Sequence, residues 1–523
     1  MLKELWSFHG RYKILHLTWF AFFLSFVVWF NLAPLATQVK ADFGLTVGQI
    51  RTIAICNVAL TVPARILIGM LLDKYGPRLT YSVLLVYAAI PCVMFATAQD
   101  FNMLVISRLL LSIVGAGFVI GIRMTAEWFP PKEIGLAEGI YGGWGNFGSA
   151  ASAMVLPVIA GFLTFGGGEI LNWRPCIAGT GIIAAIYGVF YYFNVQDTPP
   201  GKVYQRPAST RGMEVTTRQD FWFLMLMNMP LTGILMVLAW RLKKVGFYGQ
   251  PTMYIVIAFL AGLYLFQAYN CWVVNKDLLM GRKRYPAEDR YTFSQVAILE
   301  LTYIVNFGSE LAVVSMLPAF FEGTFTLSPQ VAGAVAFSYA FMNLMSRPGG
   351  GLLSDKMGSR KTTMGVLTLC MGIGYMMMGS VTGGWWLPLA VILTMACSFF
   401  VQAGEGSTFA IVPLVKRRIT GQVAGNVGAY GNVGAVAYLT IFSLLPGWLS
   451  GGGEPTAAII ARSNTIFFWV MGIAALIVAF LCFFFLKEPK GSFAEYHEGE
   501  EVDMEMPMEP LPVLSEESEQ GIG

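Results

Sequence analysis

Two arginines stand where arginines are costly. Arg65 falls about fourteen residues into an apolar run over 51–72, and Arg347 about eighteen into another over 329–353. A guanidinium near the centre of a bilayer costs about 2.5–3.5 kcal/mol on insertion scales. It stays protonated there and offers a planar fork of donors suited to a small planar oxyanion. Neither run supplies a carboxylate until Asp73 or Asp355, eight residues further on. Anion binding is therefore expected of both, ahead of structural pairing with a buried carboxylate or snorkelling to an interface. Two glycine clusters add to this pattern. Gly142-Gly-Trp-Gly145-Asn146-Phe-Gly148 matches Gly428-Ala-Tyr-Gly431-Asn432-Val-Gly434 at an offset of 286 positions. Close helix packing accounts for glycines such as Gly145 and Gly431, but not for an amide at the same place in both clusters. Asn146 and Asn432 are expected to donate hydrogen bonds to an anion without adding charge; Asn426 competes with Asn432 for that role.

The same spacing recurs around the arginines. Arg65-Ile-Leu-Ile-Gly69-Met-Leu-Leu-Asp73-Lys74-Tyr-Gly76-Pro-Arg78 repeats as Arg347-Pro-Gly-Gly-Gly351-Leu-Leu-Ser-Asp355-Lys356-Met-Gly358-Ser-Arg360, offset by 282 positions (65 to 347, 73 to 355). A generic tight loop would not recur at a fixed offset. The chain is thus two parallel repeats, an architecture in which a substrate site lies near the bilayer midplane between the halves. Gly69, Asp73, Lys74, Arg78, Gly351, Asp355, Lys356 and Arg360 are the expected gating residues, with glycines for close packing and charges that pair across one membrane face.

The elements that must hold these residues are spanning helices. Hydrophobic residues make up 56% of the 523 and charged ones 12%, against about 25% charged in soluble chains. A bilayer is the environment that tolerates such a surface. Six apolar runs fall near 14–36, 51–72, 79–98, 103–125, 135–165 and 174–195. Two follow near 221–240 and 252–274, and six more near 294–320, 329–353, 362–381, 386–411, 420–447 and 464–486. The expected fold is all-α, with two six-helix halves and a helix pair inserted between them, twelve plus two helices. The expected division is 1–195 for the first half, 196–293 for a central segment with the inserted hairpin and a charged loop, 294–490 for the second half, and 491–523 for an acidic, disordered tail. The first run is too long for a cleavable signal and reads as the first span.

Lys and Arg gather in the N-terminal segment, the 73–78 loop, the 354–361 loop and Lys416-Arg417-Arg418. The positive-inside bias then places both termini in the cytoplasm of a multi-pass plasma (inner) membrane protein. Two inserted spans put Arg241, Lys243 and Lys244 outside, against that bias; a hairpin in the interface would avoid this. Two spans remain the expectation.

The glycine clusters resemble the two nitrate signatures of the nitrate/nitrite porter family of the major facilitator superfamily. The loop repeat is similar to that superfamily's gating signature. The match takes in Arg65, the cluster around Asn146, Arg347 and the cluster around Asn432, in the family's order. It extends over nearly the whole chain apart from the inserted pair and the tail. Segments such as Phe307-Gly-Ser-Glu-Leu311 look closer to the high-affinity uptake branch of cyanobacteria, algae and plants. The resemblance implies a major facilitator fold and alternating-access transport of nitrate, with nitrite as a second substrate. It also implies an anion held by the two arginines and Asn146, with Tyr303, in Tyr303-Ile-Val-Asn-Phe-Gly308, as an aromatic wall. The inserted pair and the carboxylates around Tyr303 depart from the family's pattern.

An inside-negative potential opposes nitrate entry by about 2.3 kcal/mol per 100 mV, so net uptake needs a cotransported cation or an exchanged anion. Glu310 is the candidate proton carrier, with Glu300, Glu127 and Glu405 behind it; a structural role for Glu310 fits the sequence equally. The expected activity is proton-coupled symport serving nitrate assimilation. A nitrate/nitrite exchanger, a carrier of another small anion such as formate, and a non-transporting anion sensor are the alternatives. The partners expected are nitrate or nitrite, protons and the lipid bilayer, with any cytoplasmic regulator unidentified. A net charge of +3 gives no footing for nucleic acid. The seven cysteines form no CxxC pair, and His9, His16 and His497 lie near the ends. No enzyme, metal site or cofactor is expected.

Overall fold

The computed structural model describes residues 4–163, 172–207, 211–286, 290–327, 329–451, 453 and 455–488. The expected acidic tail, 491–523, lies outside them. Among the described residues the chain is all helix. The first six helices are α1 (Gly10–Phe43), α2 (Gly48–Tyr75), α3 (Pro77–Ala96), α4 (Phe101–Trp128), α5 (Pro131–Phe162) and α6 (Trp173–Asn194). The inserted pair is α7 (Arg218–Lys244) and α8 (Gln250–Leu279). The second half runs α9 (Phe293–Phe325), α10 in two pieces (Pro329–Phe341 and Asn343–Lys356), α11 (Arg360–Met378), α12 (Leu387–Val415), α13 (Thr420–Leu449) and α14 (Ala457–Phe485). All except α10 and α11 are long and apolar enough to cross a membrane, the inserted pair included. Those two repeat α2 and α3; α10 is divided at Met342 into pieces of 13 and 14 residues, each too short to span alone.

The repeated loop signature has a structural reason at each position. Gly76 and Gly358 sit at φ of 88° and 72°, a left-handed turn that favours glycine. A Cβ on Gly69 would collide with the Gly421 carbonyl of α13, and one on Gly351 with the Gly135 carbonyl of α5. The helices of opposite halves thus touch backbone to backbone at these glycines. The Asp73 carboxylate accepts from the amides of Gly421 (3.1 Å) and Gln422 (3.0 Å) at the start of α13. Asp355 accepts from Gly135 (3.0 Å) and Leu136 (2.8 Å) at the start of α5. Asp73 therefore caps the first turn of α13, where free N–H groups and the helix dipole favour an anion, while Asp355 bonds α5 in its second turn. These two clasps close one face of the molecule. Of the basic residues, Arg360 bonds Asp355 of its own half at 2.7 Å and donates across to the Pro131 carbonyl of α5 at 2.7 Å, Arg78 lies over Tyr192, and Lys74 and Lys356 are exposed. Helices α3 and α11 are capped alike, by Asp197 on the Arg78 amide (2.7 Å) and by Glu488 on the Arg360 amide (2.8 Å).

The inserted pair is joined to both halves at this face. In the linker before α7, Tyr204 donates to the Leu72 carbonyl (2.8 Å) and the Gln205 carbonyl accepts from Arg123 (2.8 Å). A few residues later Glu214 pairs with Arg418 at 2.6 Å. Helix α7 packs on α2, α9 and α13, whereas α8 packs chiefly on α7. The outer face of α8 presents Tyr254, Ile255, Phe259, Leu265 and Phe266, as a lipid-facing helix should.

Candidate functional site

Arg65 is fully buried on α2 and faces α4 and α13. Helix α4 tightens into a 3₁₀ turn over Ser112–Ala116, which turns carbonyls out of the helical ladder. Thr61 donates to the Ser112 carbonyl (2.5 Å) and Arg65 Nε to that of Gly115 (3.3 Å). Arg65 Nη1 donates to the Gly428 carbonyl of α13 (2.5 Å), while Nη2 has no partner. Its guanidinium lies 5.3 Å from the Phe118 ring and 5.2 Å from that of Phe307. Among the described residues, carbonyls and aromatic faces hold this cation and no ion pair does.

Arg347, 1% exposed on α10, is held differently. Its Nη1 forms an ion pair with Glu405 of α12, and its Nη2 donates to the Tyr303 hydroxyl at 3.1 Å. Structural pairing thus applies to Arg347, through a carboxylate fifty-eight positions away on another helix. The guanidinium lies 5.1 Å from the Phe118 ring. One phenylalanine therefore lies within cation–π reach of the arginines of both halves. Around it Tyr303 stacks at 6.0 Å and Phe409 meets it edge-on at 4.6 Å.

Tyr303 owes its direction to a wider π turn over Ile304–Gly308 inside α9, a distortion that recurs at functional sites. It brings Tyr303 and Phe307 into parallel stacking, 5.0 Å apart. Asn306, within the turn, donates to Thr408 (3.2 Å) and anchors it to α12. Gly431 leaves the space for both rings: a Cβ there would stand 2.6 Å from Tyr303 and 2.7 Å from Phe307. Gly145 makes the same room for Phe22 in the first half. Gly142 and Gly428 seat the arginines crosswise. A Cβ on Gly142 would be 2.5 Å from Arg347 Nε, and one on Gly428 3.1 Å from Arg65 Cδ.

The two asparagines occupy different places. Asn146 is buried with both amide atoms unpartnered, and it lines a small cavity with Phe26, Phe30, Ser149, Phe307 and Glu310. The cavity has room for an ordered water. Asn432 donates to the Gly428 carbonyl (3.4 Å), the same oxygen that Arg65 uses, and its own Oδ1 has no partner. Glu310 accepts through Oε1 from Asn343 (2.5 Å) and Gln402 (3.4 Å), and its Oε2 is unpartnered. Arg65, Arg347, Tyr303 and Asn432 are thus gathered in one buried cluster, with Asn146 and Glu310 at its edge and the gating residues apart at the clasps. Sequence reasoning missed Phe118, which nothing distinguishes within an apolar run. It ranked Glu405 low, although a carboxyl inside Gln402-Ala-Gly-Glu405-Gly-Ser was a visible signal. Among the described residues the cluster holds two guanidinium groups and one carboxylate in direct contact, so it can accept a small anion, and Arg65 has an unpartnered donor for it.

The Major Facilitator Superfamily profile matches residues 18–283 and 299–514. Among similar proteins, the "Nitrate/nitrite transporter NrtP" of Picosynechococcus sp. is 70% identical over 522 residues, covering 96% of this chain and 97% of that one. The protein of the same name from Nostoc punctiforme is 56% identical over 502 residues, with coverage of 96% and 97%. The "High-affinity nitrate transporter 2.3" of Oryza sativa is 29% identical over 436 residues, covering 82% and 71%. Among solved structures, the proton:xylose symporter XylE superposes with a TM-score of 0.58 at 15% identity, over 92% of this chain and 97% of that one. The human organic anion transporter MFSD10 gives 0.57 at 14%, over 91% and 100%. At such identities these two speak for the fold alone.

Proposed function

This chain belongs to the nitrate/nitrite porter family of the major facilitator superfamily, and from that we infer that it is a nitrate/nitrite transporter of the plasma membrane working as a proton-coupled uptake system. The observation that carries the site is the pair of buried arginines, one from each half, over a shared Phe118 ring with only one carboxylate in direct contact. A nitrate between them would neutralise the excess charge and give both halves a common ligand, about which they can rock. Tyr303 and Phe118 form apolar walls that suit a weakly hydrated planar anion. Asn146 brings an unpartnered amide to the edge of the site.

With both termini cytoplasmic, as the distribution of Lys and Arg indicates, the clasps close the cytoplasmic face. The cavity at Asn146 and Glu310 then lies on the outer side of the arginines. Glu310 is in position to meet a proton arriving with the anion. Coupling to protons supplies the cation that uptake against an inside-negative potential requires. Nitrate uptake into proteoliposomes, with and without an inward proton gradient and with nitrite loaded inside, tests this. Uptake that rises with the gradient and needs no internal anion is expected. Uptake that appears only with internal nitrite would replace symport by exchange, and folded protein without nitrate flux would remove the substrate.

A further inference from the structure

Resting on that reading, we propose that Glu405 and Glu310 form a proton-sharing carboxyl pair in which Glu405 is the group that yields Arg347 to the anion and Glu310 passes it the proton. Four observations converge on the pair. Glu405 spends Oε2 on Arg347 and leaves Oε1 buried without a partner. Glu310 spends Oε1 on Asn343 and Gln402 and leaves Oε2 buried without a partner. The two carboxyl groups are neighbours: Gln402, which bonds Glu310, stands one turn before Glu405 on α12, and the two groups act on each other's charge. Only Glu310 reaches the Asn146 cavity. Two neighbouring ionised carboxylates repel, and a proton between them satisfies both free oxygens at once.

The surroundings are arranged around that exchange. Asn343 and Arg347 lie one turn apart on α10, and Gln402 and Glu405 one turn apart on α12. Each helix thus contributes one group to Glu310 and one to the ion pair. The charged and titratable groups facing Glu405 are Arg347 from α10, Glu310 from α9 and, further off, Arg65 from α2. Tyr303 from α9 also feels its charge. Glu138 of α5 also acts on the charge of Arg347 and is itself bonded to Thr125. Among the described residues, Arg65 is the other cation that acts on Glu405, and it does so from further off than Arg347.

The step is therefore an exchange at one nitrogen. An anion that takes Arg347 Nη1 leaves the Glu405 carboxylate buried and unpaired, an arrangement that burial forbids. Glu405 keeps its place by taking the shared proton, and Glu310 refills from the outer cavity. One proton then accompanies each anion through this pair, and the buried charge is the same before and after loading. On the other side the order reverses. Loss of the proton re-forms the Arg347–Glu405 pair and expels the anion.

Nitrate binding to the purified full-length protein, measured calorimetrically between pH 8 and pH 6, tests this against E405Q and E310Q. Wild-type affinity should tighten by about tenfold across that range through proton linkage. E405Q should bind nitrate with an affinity flat within about twofold and should exchange nitrate in vesicles without stimulation by a proton gradient. E310Q should keep the pH dependence of binding while its gradient-driven uptake slows. E405Q with wild-type pH dependence, or folded E405Q that binds nitrate at no pH, would overturn the proposal; the second result would make Glu405 only a support for Arg347. Should E405Q fail to fold, wild-type protein in weak buffer with an indicator dye serves instead. Nitrate addition should then remove protons from solution, and no uptake would overturn the pair. A wild type that binds no nitrate at any pH would overturn the functional reading itself, and this inference with it.

Discussion

At the clasped face the two halves share one pattern of crossed backbone bonds, and at the proposed anion site they do not. Asp73 and Asp355 each accept two backbone bonds from the other half's helix. Asp197 and Glu488 each cap the helix after the signature loop. Gly142 and Gly428 each seat the other half's arginine. Between those arginines the likeness ends: Arg65 rests on carbonyls, Arg347 on Glu405 and Tyr303. The repeat of Glu405 in the first half falls near Val119–Arg123, where no carboxylate stands. A gate that opens and closes as a hinge gains from symmetry. The proposed coupling of two ions needs a difference, and one half supplies it.

The comparison is tested most severely at the arginines. Arg65→Lys and Arg347→Lys should each lower nitrate uptake by about 100-fold or more, about 2.7 kcal/mol of lost stabilisation, because a point charge cannot replace the planar fork. Uptake assays on variants shown to be folded would read this, and wild-type rates in both would take the arginines out of the site. The glycine seats sharpen the comparison next. Gly142→Ala places its Cβ 2.5 Å from Arg347 Nε, and Gly428→Ala leaves 3.1 Å to Arg65 Cδ. Overpacking costs about 1–3 kcal/mol, so Gly142→Ala should lose about tenfold in affinity and Gly428→Ala only a few-fold. Equal losses would mean that the seats are symmetric after all.

The clasps should respond alike. Removing one charge from an acceptor of two amides weakens bonds worth about 1.5–3 kcal/mol each. Asp73→Asn should speed hydrogen exchange at Gly421 and Gln422 by about tenfold, and Asp355→Asn that at Gly135 and Leu136. A large difference between the two would break the symmetry of the gate. The smallest effect is expected at Asp197, outside the spans. Burial raises its carboxyl above the ordinary aspartate value, although the Arg78 amide and the Arg78 and Arg206 charges pull it down. A raised folded value means stability that is complete below the unfolded value and lost as pH rises through the folded one. The Tm of wild type relative to Asp197→Asn should therefore decline as pH climbs through the upper carboxylate range, by about 1–2 °C. A pH-independent difference would assign Asp197 to hydrogen bonding alone.

Much of this architecture is legible in the sequence because repetition leaves a record. The offsets of 282 and 286 paired the halves, the apolar runs counted the helices, and an arginine far from any carboxylate marked each side of the site. What stayed hidden depends on helices meeting in space. Glu405 neutralises Arg347 from another helix, so the absence of a nearby carboxylate in the α10 run was a local truth only. Phe118 looks like any lipid-facing phenylalanine until both guanidinium groups are seen beside it. The equivalent positions of Asn146 and Asn432 suggested equal roles, yet one borders a cavity and the other shares a carbonyl with Arg65. The π turn that aims Tyr303 has no signature in residue type.

The crossed bonds of Asp73 and Asp355 tie gating to hydration. When the halves part, two carboxylates and four backbone amides lose their bonds across the halves together. Asp355 keeps Arg360 at 2.7 Å within its own half, whereas Asp73 is left with Arg123 at 4.0 Å. Water must take up the bonds the clasps give up as they separate. The vestibule on that face therefore cannot open dry and fill afterwards: its first waters are the ligands that replace the clasps. Osmotic stress, by lowering the activity of water, should hold this transporter shut.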